Sequence, residues 1–157
     1  MNSKMKRKKT VMKEEKNRYT RAELKAELEA AGVRVTVQRI AILGFMRENP
    51  IHPTAEVVYE ALCEEFGSLS LTTVYNTLKL LVEHGLISML TIDDVFRCFD
   101  GNVAMHAHFM CRECKKIFDM EMPREVADFA QTMDGFKVDE VQLYVKGICK
   151  DCNINKR

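Results

Sequence analysis

The stretch HAHFMCRECKKIFD, residues 106–119, decides how the chain is interpreted. It places two histidines two residues apart, then a Cys-x-x-Cys motif, then an aspartate. In a β-strand, side chains two residues apart point to the same face, so His106 and His108 are expected to lie side by side. Cys111 and Cys114 have the spacing at which two thiolates bind one metal ion. The stretch therefore predicts metal binding.

A second Cys-x-x-Cys, formed by Cys149 and Cys152, lies near the end of the chain. Together with Cys111 and Cys114 it predicts a tetrahedral zinc site that stabilises the fold. The alternatives are a redox pair of the thioredoxin type, or ordinary buried thiols. A redox Cys-x-x-Cys usually opens a helix after a strand, and neither motif has that setting. We expect the chain's other two cysteines to pack in the interior.

The remaining histidines and aspartates predict a second metal site. Imidazoles and carboxylates without thiolates suit Fe(II), Mn(II) or Zn(II) rather than a thiophilic metal. An isolated histidine would more often be an ordinary polar residue, but here three of the chain's four histidines are available. A metal with ligands from both halves of the chain would act as a switch, because its binding favours one arrangement of the halves. The predicted ligands of this regulatory site are His52, Asp100, His106, His108 and Asp119.

The net charge of the 157-residue chain is only +1, but the charge is unevenly placed. Residues 1–18 carry eight basic and two acidic side chains, and the remainder is net acidic. We expect a disordered basic tail, which either contacts DNA phosphates or only keeps the protein in solution. No apolar run approaches the roughly 20 residues of a transmembrane helix, and no signal peptide is recognisable. The expected location is the reducing cytoplasm, where paired cysteines more often bind metals than form disulfides.

The first half of the chain is predicted to contain four helices followed by a hairpin. Thr20, Thr36, Thr54 and Ser70 each precede an amphipathic run and are predicted to cap these helices. Two short apolar runs after Gly85, LISMLTI and VFRCF, predict the β-hairpin. This order is typical of a winged helix, a DNA-binding variant of the helix-turn-helix.

The fourth helix carries the DNA-binding prediction. Val74, Leu78, Leu81 and Val82 recur at helical spacing and predict its buried face. Another face offers hydroxyls, a phenol, an amide and one cation, which suit base edges and phosphates in a major groove. Polar faces are also common on ordinary solvent-exposed helices, and that alternative stays open at this point. The residues of this face are Thr72, Tyr75, Asn76 and Lys79.

The second half is predicted as a small domain in the order strand, strand, helix, strand. Its helix begins at Pro123, and its last strand alternates Val141, Leu143 and Val145 with polar residues. Phe136 and Val138 have the opposite parity, so a bulge or turn is expected near residues 139–140. A domain of about 55 residues is small enough to need a metal ion or a partner for stability. The predicted α+β organisation is a tail at 1–18, a winged helix at 19–100 and a metal-binding domain at 101–157.

Five separate motifs resemble the ferric uptake regulator family of bacterial metal-dependent repressors. The resemblance covers nearly the whole chain, and it implies a winged-helix half followed by a dimerisation domain that contains the zinc site. It also implies a homodimer that binds operator DNA. The DNA-facing positions of the family motif fall on Arg34, Thr73, Tyr75 and Asn76. The motifs are GVRVTVQR (32–39), HPTAEVVYEAL (52–62), LTTVYNTL (71–78), HAHFMCRECKKIFD (106–119) and GICKDC (147–152).

Within the family the chain is most similar to the peroxide-sensing PerR branch. That branch has a regulatory site of three histidines and two aspartates, which match the five predicted ligands. Iron-sensing members usually carry glutamates where Asp100 and Asp119 stand. The resemblance implies that peroxide reacts with bound Fe(II), that the oxidant attacks His52 or His106, and that DNA is then released. It implies a one-shot reaction rather than an enzyme, and Mn(II) would support DNA binding without the oxidation.

Three residues depart from the family pattern, and other functions stay open. Val37 replaces a usual proline, Lys115 a usual glycine, and Cys98 a common arginine.

The nearest alternative function is that of an iron-, manganese- or zinc-uptake regulator that switches by metal occupancy alone. A metalloenzyme with an open metal position is less favoured, because no nucleophile or phosphate loop is recognisable. A zinc-ribbon interaction module without a DNA role is the third alternative.

Overall fold

The structure is a computed structural model that describes residues 19–93 and 95–154. The predicted basic tail at 1–18 lies outside the described residues. The chain divides into two compact units. The first holds the residues up to Met89 together with Arg97–Asn102, and the second holds Leu90–Phe96 together with the residues from Val103 on. In this division the tip of the predicted hairpin groups with the second unit.

Four helices build most of the first unit, and each begins after a predicted cap. At the first, Thr20 Oγ1 accepts the N–H of Glu23 while the Glu23 carboxylate accepts the N–H of Thr20. This capping box satisfies two donors that a helix start otherwise leaves unpaired. Thr36, Thr54 and Ser70 occupy the predicted N-cap positions. The side chains of Thr36 and Ser70 accept the N–H three residues on, whereas the Thr54 side chain makes no capping hydrogen bond. The helices are α1 (Arg21–Ala30), α2 (Val37–Glu48), α3 (Ala55–Leu62) and α4 (Leu71–Glu83).

One hydrophobic core joins these helices. Leu28 of α1, Leu43 of α2 and Val58 of α3 are fully buried in it. The predicted buried face of α4 is confirmed for Val74, Leu78 and Leu81, which are fully buried, whereas Val82 is half-buried against the core. At the surface, Arg47 of α2 pairs with Glu27 of α1.

A two-stranded sheet of β1 (Ser88–Leu90) and β2 (Cys98–Asp100) follows α4, which completes the helix and hairpin order of a winged helix. The second strand begins three residues later than the run VFRCF suggests, and Val95 and Phe96 lie exposed in the loop before it. Phe99 is fully buried, and its N–H donates to the Pro53 carbonyl at 2.9 Å. The hairpin is therefore anchored to the segment before α3.

The second unit contains a three-stranded sheet in the order β4-β3-β5, where β3 runs antiparallel to β4 and parallel to β5. The predicted order of strand, strand, helix and strand is confirmed. A short last helix, which the sequence analysis did not predict, follows the final strand. The elements are β3 (Ala107–Cys111), β4 (Ile117–Met120), α5 (Arg124–Gln131), β5 (Leu143–Gly147) and α6 (Lys150–Ile154).

Two details of the second unit differ from the prediction. The final strand begins at Leu143, and Phe136 lies exposed in the preceding loop, because the paired register with β3 extends only from residue 143. Helix α5 is amphipathic, as predicted, but it buries no residue, and Phe129 is 65% exposed. In the described part of the chain, no element therefore encloses its apolar face. Among the residues that the structure describes, no helix is long and apolar enough to cross a membrane.

Gly101 shows how closely the end of β2 approaches α2, and it gives a test of this packing. A Cβ on Gly101 would overlap the Met46 carbonyl oxygen and lie 2.8 Å from the carbonyl carbon. The Arg47 guanidinium also donates to the Gly101 carbonyl. We predict that Gly101→Ala lowers the free energy of unfolding by about 1–3 kcal/mol, as overpacking does. Urea unfolding of the purified protein measures this change.

Gly67→Ala is the matched control, because a Cβ on Gly67 meets no atom within 4 Å. It should leave the free energy of unfolding within about 1 kcal/mol of the wild-type value. Equal stability of the two variants would show that α2 and the end of β2 are not in close contact.

Candidate metal centres and nucleic-acid interface

The sheet of the second unit brings the two Cys-x-x-Cys motifs together. Cys111 ends β3, and Cys149 follows β5. These strands are parallel neighbours, with Cys111 paired to Gly147, so their carboxyl ends lie at the same edge of the sheet. Cys114 lies in the turn after β3, and Cys152 lies in α6. Residues far apart in sequence thus meet because of strand pairing.

The four sulfurs have the spacing of a tetrahedral zinc site. Their Sγ atoms all lie within 4.8 Å of one another, and the Cys114 and Cys149 sulfurs are 3.8 Å apart. Zn–S bonds of about 2.3 Å in a tetrahedron place neighbouring sulfurs roughly 3.8 Å apart. The donor set therefore fits Zn(II) without a change in the backbone.

The thiols differ in how easily they ionise. The backbone N–H groups of Cys149 and Cys114 donate to the Cys111 sulfur, and they lower the pKa of that thiol to about 6. The neighbouring Cys149 side chain, then burial and the sulfurs of Cys114 and Cys111, raise the pKa of Cys152 to about 12. Four thiolates at this distance repel one another, so a dication is needed for all of them to be charged. The cluster is therefore suited to a metal ion rather than to four free thiols.

The residue directly after Cys114 has a backbone conformation that glycine favours. Lys115 has a φ of 61°, and its N–H donates to the Cys111 carbonyl at 2.9 Å. A left-handed conformation costs a residue with a Cβ about 1–2 kcal/mol. The chain thus adopts with lysine a backbone conformation that glycine would adopt without this cost.

The two remaining cysteines differ from each other. Cys98 is buried in β2, which confirms the prediction of interior packing. For Cys63 that prediction is wrong, because α3 ends at Leu62 and Cys63 is its half-buried C-cap residue. Its sulfur lies 3.7 Å from the Glu60 carbonyl.

Three predicted ligands of the regulatory site lie together in the second unit. His106 and His108 have ring centroids 4.4 Å apart, which confirms that they lie side by side. Asp119 pairs with His108 in the register of β3 and β4. One carboxylate oxygen of Asp119 lies 3.5 Å from Nε2 of His106 and 3.8 Å from Nε2 of His108. Two imidazoles and a carboxylate therefore converge near the start of β3, at the opposite end of this strand from Cys111.

A backbone contact determines which nitrogen of His106 faces this carboxylate. Its Nδ1 lies 2.7 Å from the Ala104 carbonyl. A carbonyl oxygen only accepts, so Nδ1 carries the proton and Nε2 of the neutral ring keeps a lone pair toward Asp119. Metal-binding histidines are commonly oriented in this way through their other nitrogen.

The other two predicted ligands, His52 and Asp100, lie in the first unit. Both are buried, and Nε2 of His52 is 4.0 Å from a carboxylate oxygen of Asp100. The other Asp100 oxygen accepts the N–H of Asn102 at 2.8 Å. His52 has a φ of 50°, which is uncommon for a residue with a Cβ and is found more often at functional sites.

Each of the two ligand sets fits a metal ion of the same class. Imidazole nitrogen and carboxylate oxygen bind a first-row divalent metal at about 2.0–2.2 Å, so ligand atoms on one ion lie roughly 3–4 Å apart. The distances in both sets agree with that spacing. Neither set contains a thiol, which favours Fe(II), Mn(II) or Zn(II).

Helix α4 presents the predicted polar face. Thr72, Asn76 and Lys79 are exposed, whereas Thr73 and Tyr75 are half-buried. The ring of Tyr75 packs against the core, so part of its area stabilises the first unit. Arg34, before α2, is also exposed, and its carbonyl accepts a hydrogen bond from Arg39 at 2.7 Å.

The sequence analysis missed two side chains that contact the predicted site residues. The exposed Arg97 donates to the Tyr75 hydroxyl at 3.4 Å. Tyr144 packs beside His108 with ring centroids 6.0 Å apart. Neither residue belongs to a motif, and only the pairing of strands and the packing of the hairpin reveal them.

The fourth histidine, His84, is the C-cap residue of α4, and its Nδ1 contacts the Ala31 carbonyl at 2.7 Å.

Comparison with known proteins gives consistent matches over most of the chain. The family model described as the ferric uptake regulator family matches residues 30–146. Over 129 residues the chain is 39% identical to the peroxide-responsive repressor PerR of Staphylococcus aureus. That match covers 81% of this chain and 87% of the relative.

Solved structures agree with the sequence matches. The ferric uptake regulator from Pseudomonas aeruginosa with manganese superposes with a TM-score of 0.67 at 27% identity, covering 80% of this chain and 96% of that one. The ferric uptake regulator from Francisella tularensis with iron gives a TM-score of 0.64 at 25% identity, covering 78% and 96%. The predicted fold class, a DNA-binding domain followed by a small α/β domain, is confirmed.

The sulfur cluster gives a direct test. We predict that Cys111→Ser abolishes the binding of about one zinc ion per chain, because a hydroxyl is a poor replacement for a thiolate ligand. The variant should also lose cooperative unfolding of the second unit. Elemental analysis of the gel-filtered protein measures the zinc content. Cys63→Ser is the control and should keep both the zinc and the unfolding transition, whereas retention of zinc by Cys111→Ser would contradict the assignment.

Proposed function

Because this chain belongs to the ferric uptake regulator family of metal-dependent transcriptional repressors, we propose that it represses its operators until peroxide oxidises a metal ligand. In this proposal the ligand is His52 or His106, and the metal is Fe(II). The observation that carries it is the pair of imidazoles beside a short carboxylate in the second unit, with no thiol among them. The likeness to a peroxide-responsive repressor supports the same branch.

We propose that one ion takes its ligands from both sets. The second unit would contribute His106, His108 and Asp119, and the first would contribute His52 and Asp100. Ligation would then hold the two units in the arrangement that binds DNA. The separate Cys111 cluster would hold structural Zn(II) and take no part in sensing.

Fe(II) in this site would supply the one-electron reduction of peroxide that generates an oxidant beside the imidazoles. His106, held by the Ala104 carbonyl, keeps its Nε2 toward the metal side and is therefore in position to gain an oxygen atom. An oxidised imidazole is a poorer ligand, so the metal, and with it the DNA, would be released. The reaction consumes a side chain, which is consistent with a family of regulators rather than enzymes.

The aspartates separate this proposal from simple metal sensing. Asp100 and Asp119 are one methylene shorter than glutamate, so they reposition less freely and leave the coordination sphere more open to peroxide. The alternative function is control of iron, manganese or zinc uptake by metal occupancy alone. Regulation by metal occupancy requires the same ligands but no histidine oxidation. The reaction of the Fe(II)-loaded protein with peroxide therefore distinguishes the two functions.

We propose that operator DNA is read by Arg34 and by the exposed face of α4. Thr73, Tyr75, Asn76 and Lys79 would contribute hydroxyl, phenol, amide and ammonium groups to base edges and phosphates. The Arg97 side chain holds the Tyr75 phenol from the hairpin side.

We propose that the protein acts as a homodimer in the cytoplasm, with no membrane partner. The apolar residues that α5 and the loop after it expose, such as Phe129 and Phe136, would form part of the contact with a second copy. An open apolar surface of this kind is typical of protein interfaces.

The DNA face gives the first test of the proposal. We predict that Asn76→Ala weakens binding to a duplex selected by the wild-type protein by about 1–3 kcal/mol, as the loss of a base contact does. Its thermal unfolding should not change, because Asn76 is exposed. Tyr75→Ala should weaken binding similarly but also destabilise the first unit, since its ring packs against the core. Fluorescence anisotropy at fixed salt measures both affinities.

Glu29→Ala, on the exposed surface of α1, is the control and should bind DNA as the wild type does. Wild-type affinity of the Asn76 variant would place the DNA contact elsewhere on the protein.

Peroxide sensitivity gives the second test. We predict that the Fe(II)-loaded protein loses DNA binding after brief exposure to micromolar peroxide, while the Mn(II)-loaded protein does not. Tandem mass spectrometry should find one added oxygen atom on His52 or His106. His84 is an internal control, because its ring contacts the Ala31 carbonyl and is not a proposed ligand. Asp100→Glu should keep metal-dependent DNA binding and slow the oxidation.

Two outcomes would reject peroxide sensing by histidine. Equal resistance of the Fe(II) and Mn(II) forms would favour regulation by metal occupancy. Oxidation confined to Cys98 or to the four clustered cysteines would identify sulfur as the sensor instead.

A further inference from the structure

Tyr144 contacts a proposed metal ligand from the neighbouring strand. It pairs with His108 in the register of the parallel strands β3 and β5, so the two side chains lie on the same face of the sheet. Their ring centroids are 6.0 Å apart with the planes tilted by 47°, a geometry in which aromatic rings attract each other. The orientation of the His108 ring and that of the Tyr144 ring are therefore coupled.

The hydroxyl of the same side chain contacts the hairpin. It accepts the backbone N–H of Thr91 at 3.0 Å and donates to the side-chain carbonyl of Gln142. The Thr91 hydroxyl donates to the same Gln142 oxygen at 3.4 Å. Thr91 follows directly after β1, the strand that leaves α4. Tyr144 thus contacts both His108 of β3 and Thr91, the residue directly after β1.

We propose that Tyr144 is a positioning residue that transmits metal binding at His108 to the hairpin beside the DNA-reading helix. The inference rests on the proposed function, since it assumes that His108 binds the regulatory metal and that α4 reads DNA. It assigns to Tyr144 a role in coupling the two binding events rather than in either one alone.

The physical basis is the rigidity of the connection. A tyrosine has only two rotatable side-chain bonds, so a change at its ring moves its hydroxyl by a comparable distance. Ligation would restrict the His108 ring, and the adjacent phenol would then be held where it accepts the Thr91 N–H. Only four residues separate the end of α4 at Glu83 from the start of β1 at Ser88, so in this proposal a fixed position of Thr91 would restrict α4 through that short connection. Coupling requires an element of this kind, which both sites influence.

The first measurement concerns the hydrogen bond itself and uses the metal-free protein. Tyr144→Phe keeps the ring beside His108 and removes only the hydroxyl. We expect the Thr91 amide to exchange with solvent about five- to tenfold faster in this variant, as the loss of one hydrogen bond predicts. Amide hydrogen exchange by NMR measures this rate. An unchanged rate at Thr91 would overturn the proposal.

The second measurement concerns the coupling. The affinity for a duplex selected by the wild-type protein is measured with and without saturating Mn(II), and the ratio of the two affinities is the coupling factor. We expect Tyr144→Phe to reduce this ratio at least about fivefold, while Mn(II) affinity in the absence of DNA changes less than about twofold. Tyr59→Phe, in α3 of the first unit, is the matched control and should leave the ratio unchanged.

The possible outcomes separate this inference from the proposed function. If Mn(II) does not increase the DNA affinity of the wild type, the proposed function fails. If the wild type responds to Mn(II) and Tyr144→Phe responds equally, only the coupling role of Tyr144 fails. If Tyr144→Phe binds Mn(II) so weakly that this alone accounts for its smaller gain in DNA affinity, the coupling role also fails. Tyr144 would then act only by orienting His108.

Discussion

The meeting of four cysteine sulfurs at one edge of the second sheet is the constraint on which that unit depends. The unit has little apolar core of its own, since α5 buries no residue and the fully enclosed side chains are few. Cys111 and Cys149 stand at the carboxyl ends of the two paired parallel strands, so a metal bound there would hold β3 and β5 in register. The metal's binding energy of about 10 kcal/mol or more is comparable to the whole stability of a small domain.

That register also positions the proposed regulatory ligands of the second unit. His108 stands opposite Asp119 on one neighbouring strand and opposite Tyr144 on the other. A slip of one residue in either pairing would turn the partner to the opposite face of the sheet. The sulfur cluster and the histidine set are thus two results of the same strand pairing, although the proposed roles of their metals differ.

The first unit achieves its stability by different means. Its helices are capped at the predicted residues and share one core, and it has no comparable cluster of thiols among the residues that the structure describes. Its two proposed ligands are held by local backbone geometry instead. His52 adopts a positive φ, and Asp100 precedes Gly101, whose lack of a Cβ lets β2 approach α2. A stable helical core thus presents two buried polar side chains with little freedom to move.

The sequence by itself determined the first five helices, the N-cap positions of the first four, the order of the strands and the candidate ligands, because these depend on local spacing. Thr20 with Glu23, the Cys-x-x-Cys pairs and His106 with His108 act within a few residues of one another. Only the tertiary structure decided what lies opposite them. The sequence did not show that Tyr144 would face His108, or that Arg97 would reach Tyr75, since both contacts join segments with no shared pattern. The open apolar face of α5 likewise follows the predicted helical period, but whether such a face is buried depends on which elements the fold places against it.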